Sequence, residues 1–378
     1  MHRTGTRRVV ILVMAAAAGL LSGCSTISYY AQALGGHMDV MRLARPVVEA
    51  IADPATPPAL RDKLARAQEA RDFASRELHL PDNGSYRRYA DLGRPFVVWN
   101  VIATPEFSVE PVEACFPIAG CVAYRGWYSE ARANDDARER RAQGFDVRVG
   151  GVPAYSTLGW FDDPLLNTFL AFADAEVARL VFHELSHQLL YVKGDTAFNE
   201  SFAVAVEEEG VRRWLERRAD SAERDRYAQF AERRGQFVEL IGRYRERLQG
   251  YYRDTASFTP LQLDERRNGK AALFAELDRD YERLKLSWGG FGGYDRIMGK
   301  APVTTMVTPA VTTTTTVTPV AAPNNALLAA IVTYSEWLPA FRHLLAKHNG
   351  DLDALYGEAR RLAAMDRPAR ERALRDLM

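Results

Sequence analysis

The sequence predicts an α+β protein that is mostly helical, with a small mixed β-sheet placed before a central apolar helix. Apolar residues recur at helical intervals near the N-terminus and again through almost all of the chain after residue 171. Between these parts, in 94–160, the apolar stretches are short and rich in β-branched residues, as buried strands are. We therefore expect helices on both sides of a compact sheet.

The first helix should cover about 28–52. Apolar residues such as Leu34 and Met38 follow the helical period there, which indicates a face turned toward the core. Gly35–Gly36 and Pro46 should break or kink this helix, because glycine weakens a helix and proline removes one of its hydrogen bonds.

A second helix is expected over about 56–79. Its start is favourable, because Thr56 can cap the helix and the prolines that follow are tolerated in a first turn. A polar helix is expected over 130–143. The predicted strands of the sheet are Arg94–Ala103, Cys121–Tyr128, Phe145–Val149 and Val152–Leu158.

The rest of the chain is expected to be helical, starting with the central helix at about 172–193. Long charged helices follow at 219–250 and 264–286. The Thr-rich segment 302–323 has almost no charge, and we interpret it as a low-complexity surface insertion. Another helix should start near Asn324–Asn325.

The N-terminus carries an export signal. Three arginines precede an apolar stretch, Val9–Leu21, that is too short to span a bilayer as a helix. Its end, Leu21-Ser22-Gly23-Cys24, resembles a bacterial lipobox, in which the peptide is cut before the cysteine and the cysteine is acylated. We expect a lipid-anchored protein of the cell envelope. By resemblance to known lipoproteins, Ser25 favours the outer membrane, facing the periplasm.

Two cysteines remain after Cys24, and the chain has no net charge. In an oxidising compartment Cys115 and Cys121 are expected to form a disulfide, although two free buried thiols are the alternative. Lys and Arg number 49, as do Asp and Glu, so no basic surface for nucleic acid is predicted.

The stretch HELSH, at 183–187, carries the chemistry. His183 and His187 are four residues apart, so both imidazoles lie on one helical face and can bind one Zn²⁺. Glu184 then lies beside the metal, where it can take a proton from water. Because the surrounding residues are apolar, two histidines and a glutamate would be unfavourable here without a metal or partners.

Glu200 is the expected third ligand of a single zinc ion. A break at Lys193–Gly194–Asp195 should turn the chain into a second, antiparallel helix. From His187 the chain runs roughly 9 Å along the first helix and then roughly 6 Å back along the second helix. Glu200 therefore lies near the level of His187. Asp195 and the run Glu207–Glu209 compete for this role, but the former lies at the turn and the run looks like a solvated face.

HELSH followed by NESFA (199–203) is similar to the gluzincin zinc peptidases, although the spacing between His187 and Glu200 is shorter than is usual there. The chain also resembles the predicted aminopeptidase lipoproteins of Gram-negative bacteria. The matching stretches are the lipobox, SYYAQALGGH, AYSTLGWFDDPLLNT, VFHELSHQ, GDTAFNESFA and NNALLAAIVTY. The resemblance implies a zincin-like fold, a peptide substrate and aminopeptidase activity.

This interpretation divides the chain into a signal peptide (1–23), an N-terminal helical region (24–93), a catalytic core (94–218) and a helical C-terminal region (219–378). For oxyanion stabilisation we consider Tyr155 first, with Tyr294 and Tyr334 as alternatives. The competing functions are a zinc endopeptidase and an envelope scaffold or binding module with a vestigial zinc site. A Gly-x-Ser-x-Gly motif for serine catalysis is absent.

Overall fold

A computed structural model of the chain describes residues 29–116, 120–300, 322–332 and 336–378. The predicted signal peptide, Cys24, Tyr334 and all but the last two residues of the Thr-rich segment lie outside these ranges. The α+β class is confirmed, because helices predominate and the strands form small sheets ahead of the central helix.

The N-terminal helices differ from the prediction in one respect. Residues 29–43 form one helix, α1, which continues through Gly35–Gly36 and ends before the short strand Arg45–Pro46 (β1). Proline, which lacks an amide hydrogen, is the stronger helix breaker of the two signals. The next helices are α2, Val47–Ala52, and α3, Pro58–Glu77.

The strands form three small sheets. Their bounds are β2, Arg88–Ala90; β3, Val98–Thr104; β4, Ala114–Phe116; β5, Gly120–Val122; β6, Arg125–Trp127; β7, Asp146–Val152; and β8, Leu165–Leu166. One sheet is antiparallel in the order β6-β3-β7, a second is mixed in the order β1-β2-β8, and β4 and β5 form a hairpin.

The predicted strand Val152–Leu158 is wrong beyond its first residue. Val152 ends β7, and 153–164 form a loop in which Leu158 and Gly159 adopt positive φ angles of 57° and 81°. Left-handed backbone of this kind cannot continue an extended strand. Helix α4, Glu130–Ala142, packs on the antiparallel sheet, as its position in the sequence predicts.

Helices make up the remainder of the described chain. They are α5, Asn167–Leu170; α6, Asp174–Leu189; α7, Thr196–Arg218; α8, Ser221–Asp254; α9, Leu263–Ser287; α10, Asn325–Val332; α11, Leu338–Lys347; α12, Leu352–Ala363; and α13, Arg367–Arg375. Within the described ranges, every helix is too short or too polar to cross a bilayer.

The main hydrophobic core surrounds α6 and α7. It receives side chains from α3 on one side, such as Phe73, and from α11 and α12 on the other, such as Phe341. A second core lies between α8, α9 and α10. Helix α6 is therefore central, and helices pack against it on both sides. This packing fixes the positions of its side chains.

Candidate metal centre

Two histidines of α6 meet on one face of that helix. The Nε2 atoms of His183 and His187 lie 3.2 Å apart, and each residue is 7% exposed. Both rings therefore point the same nitrogen at one place, as the four-residue spacing predicts.

Helix α7 supplies a carboxylate to the same place. Glu200 Oε2 lies 3.1 Å from His183 Nε2 and 3.7 Å from His187 Nε2. One ligand atom from each of these residues falls within 4.8 Å of the others, so the cluster could hold a metal ion. Two imidazoles and one carboxylate form a donor set that suits catalytic zinc.

The turn between α6 and α7 positions Glu200. Asn199 clamps this turn, since its side chain accepts from the Val192 amide at 2.7 Å and donates to the Val192 carbonyl at 2.8 Å. Asp195 caps α7 by accepting from the Phe198 amide, and its other oxygen accepts from Arg370. Asp195 is thus committed to the turn and to a buried ion pair.

The expectation that Glu207–Glu209 form a solvated face is wrong for Glu207 and Glu209, and only Glu208 pairs at the surface, with Arg342. Glu207 is fully buried, and Glu209 is 8% exposed. Glu207 accepts from Arg179 and Arg234, and it lies 2.8 Å from His183 Nδ1. Cationic partners from α6 and α8 compensate the buried charge, and sequence spacing does not reveal them.

The carboxylates of Glu200 and Glu207 give the surroundings of His183 a negative charge. Burial alone would lower the pKa of His183, but its bonds to Glu200 and Glu207 raise that pKa to about 10. Burial would raise the pKa of Glu200, but the positive charge of His187 and the bond to His183 lower it to about 2. The two carboxylates therefore favour positive charge between them, and a metal cation fits the same requirement.

Glu184 lies next to this cluster. It is 9% exposed, and burial raises the pKa of its carboxyl group. Among the described residues its carboxylate has no hydrogen-bond partner, unlike Glu200 and Glu207. A carboxyl group with a raised pKa and free oxygens is suited to accept and return a proton.

The three predicted tyrosines have different surroundings. The Tyr155 hydroxyl is 2.8 Å from His37 Nδ1, so it already has a partner. Tyr294 stacks on Phe237 in the second core, with ring centroids 4.2 Å apart, and Tyr334 lies outside the described residues.

A fourth tyrosine was not predicted. Tyr124 lies between β5 and β6, and its pKa is raised by burial and by the negative charges of Glu200 and Glu184. Its relation to the cluster comes from long-range packing. The sequence around Tyr124 has no pattern that would have indicated it.

The cysteine hairpin contacts the turn between α6 and α7. Cys115 and Cys121 form a disulfide across the β4–β5 pair. A Cβ on Gly120 would lie 2.6 Å from the Gly194 amide nitrogen, so the hairpin packs directly on the turn between α6 and α7.

A family sequence model matches most of the chain. The sequence model of the family described as "Putative aminopeptidase" matches residues 28–374. No curated protein and no solved structure matches the chain.

Proposed function

Since the chain belongs to the putative aminopeptidase family, we propose that it is a zinc-dependent peptidase, and specifically an aminopeptidase, with a zincin-like catalytic core. The observation that carries the proposal is the convergence of His183, His187 and Glu200 beside Glu184, whose carboxylate has no hydrogen-bond partner in the described part of the chain. Three protein ligands leave room for water at a zinc ion, as a hydrolytic site requires.

His183, His187 and Glu200 would hold one zinc ion per chain. When bound, zinc lowers the pKa of a coordinated water and polarises the carbonyl of the peptide bond. Glu184 accepts the proton of the attacking water and later delivers it to the leaving amine. Glu207 keeps the Nδ1 of His183 protonated, so that Nε2 is free for the metal.

A hydroxyl donor would stabilise the oxyanion that forms on the substrate carbonyl. Tyr124 is our choice, because it follows strand β5, which packs on the turn that positions Glu200. Burial raises the pKa of Tyr124, and the charges of Glu200 and Glu184 raise it further. Tyr155 remains the rival candidate. Burial is the largest cause of the raised pKa of Tyr155. The other groups that raise it, among them Tyr128 and Asp163, are not members of the His183–His187–Glu200 cluster.

The proposed cellular address is the outer membrane, facing the periplasm, with a lipid anchor on Cys24. It is supported by the lipobox-like end of the N-terminal apolar stretch. The disulfide between Cys115 and Cys121 is compatible with an oxidising compartment.

The test of the metal site is the zinc content of the full-length protein and of the Glu200→Ala and His187→Ala variants. We expect one zinc per chain, lost in both variants. His79→Ala is the control, because His79 is an exposed histidine paired with Asp353. Zinc retained without Glu200 would show that another residue is the third ligand.

Substrate end groups separate the alternatives. An aminopeptidase cleaves peptides with a free N-terminal amine and not their N-acetylated forms, whereas a zinc endopeptidase cleaves both. Failure to bind zinc, even when it is supplied, would favour a scaffold with a vestigial site. The retained Glu184 argues against that alternative.

A further inference from the structure

Helix α1 exposes apolar side chains that its periodicity had suggested were core. Leu34 is 65% exposed and Met38 is 45% exposed. They are four residues apart and so share one face of the helix. This face is uncovered in the described part of the chain.

Two aromatic side chains are exposed on the loop 153–164. Trp160 is 68% exposed and Phe161 is 47% exposed. The loop is held in shape by its own hydrogen bonds, since Thr157 Oγ1 accepts from the Phe161 amide and the Thr157 amide donates to Asp163. The exposed rings therefore stand on an ordered loop. Little conformational entropy of the loop would be lost if another surface covered these rings.

His37 joins the helix to this loop. Its ring lies 4.5 Å from the Phe161 ring between centroids, and its Nδ1 is 2.8 Å from the Tyr155 hydroxyl. Leu34 lies three residues before His37 and is its neighbour on the helix surface, so the exposed face of α1 meets the loop at His37 and Phe161. We call Leu34, Met38, Trp160 and Phe161 the apolar surface.

We propose that the apolar surface rests on the lipid bilayer that holds the protein. This inference relies on the proposed lipid anchor at Cys24, but not on peptidase activity. Five residue steps separate Cys24 from residue 29, so the start of α1 lies within about 18 Å of the anchored cysteine. Leu34 is five residues further, or roughly 8 Å along the helix.

The composition of the surface suits the membrane interface. Tryptophan favours the headgroup region, where one side of the ring is apolar and the other is hydrated. Leucine, methionine and phenylalanine can insert shallowly into the acyl boundary, as amphipathic membrane-surface helices do. An anchor and an apolar surface together would fix the orientation of the protein, whereas the anchor alone fixes only its distance.

Such an orientation would also set the position of the candidate metal centre relative to the membrane. A Cβ on Gly159 would lie 3.9 Å from Gln188 Oε1, so the loop packs beside α6. Gln188 is one helical turn after Glu184. Glu184 and the candidate metal centre would therefore lie on the side of the protein that is near the membrane surface.

Trp160 provides its own probe. Of the six tryptophans, all within the described ranges, Trp160 alone is exposed. The full-length lipidated protein is reconstituted in phosphatidylethanolamine–phosphatidylglycerol vesicles, with or without brominated acyl chains. We expect bromine to quench part of the tryptophan fluorescence in wild type and not in Trp160→Phe, which keeps an apolar ring.

A second pair of variants tests the helix. Leu34→Ser combined with Met38→Ser should reduce the quenching of Trp160 and shift its emission to longer wavelength. The control is Leu261→Ser combined with Leu286→Ser, which removes exposed leucines from another part of the chain (97% and 75% exposed). The control should behave as wild type.

Several outcomes would overturn the proposal. Intact mass without acyl chains would remove the anchor, and the docking proposal with it. Acylated protein on vesicles with unquenched Trp160 would overturn docking alone. A blue shift of Trp160 that depends on protein concentration without lipid would assign the surface to a second copy. A raised KM in Trp160→Ser, with no quenching in wild type, would assign it to peptide binding.

Discussion

Glu207 Oε2 lies 2.8 Å from Nδ1 of His183, while Glu200 Oε2 lies 3.1 Å from Nε2 of the same ring. One imidazole is thus held at both nitrogens by carboxylates of the same helix, seven residues apart. Because Arg179 and Arg234 also pair with Glu207, the position of that carboxylate is fixed by protein contacts alone. A preset ring orientation increases metal affinity.

Replacing Glu207 should therefore weaken zinc binding. We expect Glu207→Gln to bind zinc about 10- to 100-fold more weakly than wild type, because the neutral amide holds the imidazole less strongly. Chelator competition measures the affinity. Circular dichroism must accompany it, since the variant removes a buried carboxylate that two half-buried arginines share, Arg179 and Arg234.

Glu208→Gln is the matched control for this experiment. Glu208 is the next residue of α7, but it pairs with Arg342 at the surface. Its variant should bind zinc as wild type does. Equal zinc affinity in folded Glu207→Gln and wild type would show that Glu207 does not position His183.

Glu184→Gln should separate catalysis from metal binding. The amide cannot accept the water proton, so peptide hydrolysis should fall roughly 10²- to 10⁴-fold. The zinc content should stay at the wild-type level, because Glu184 is not one of the three converging ligands. Turnover and zinc content are measured on the same preparation, and an active Glu184→Gln enzyme would assign the base to another residue.

The sequence predicts the local part of the site better than the rest. The approach of His183 to His187 follows from one helical turn, and that of Glu200 from a short hairpin between two helices. Glu207 and Tyr124 were missed because their environments depend on distant segments. Arg234, for example, reaches Glu207 from α8, 27 residues further along the chain.

The fold shows the same division. Helix boundaries near proline or Asp195 were predictable, since those residues act on their own turn. The loop after Val152 was read as a strand because its apolar residues resemble one. Periodicity on α1 was also read as burial, although Leu34 is exposed, since periodicity identifies an apolar face and not what covers it.

Two tyrosine variants should identify the oxyanion donor. Tyr124→Phe is expected to lower kcat roughly 100- to 1000-fold with little change in KM, because an oxyanion donor acts mainly in the transition state. Tyr155→Phe should lower kcat far less, since its hydroxyl is bonded to His37. Steady-state kinetics on one peptide substrate distinguish them, and the reverse order would return the role to Tyr155.

Asp163 should make stability depend on pH. It is 1% exposed, and burial raises its pKa from 3.8 to about 7. Between these values the unfolded chain loses the proton while the folded protein keeps it, so the free energy of unfolding falls as pH rises. Asp163→Asn removes this pH dependence. From pH 5 to pH 8, the free energy of unfolding of the variant relative to wild type should therefore rise by roughly 3 kcal/mol.

Urea unfolding at the two pH values measures this gain. Asp62→Asn is the control, because Asp62 is exposed on α3 and is not among the groups that raise the pKa of Asp163, so its substitution should shift stability equally at both pH values. An Asp163→Asn effect that does not vary with pH would mean that this carboxyl group is ionised in the folded protein.

Gly120→Ala should weaken zinc binding, although Gly120 is not part of the candidate metal site. Gly120 has a φ angle of 79°, and a Cβ there would lie 2.6 Å from the Gly194 amide nitrogen, in the turn that positions Glu200. Gly144→Ala is the control, since Gly144 has a φ angle of 87° but no atom within 4 Å of a Cβ. Both variants should lose about 1 kcal/mol of stability to left-handed strain. Only Gly120→Ala should also bind zinc more weakly, because the disulfide-linked hairpin must move away from the turn. Equal zinc affinity in the two variants would show that the hairpin does not support the metal-binding helices.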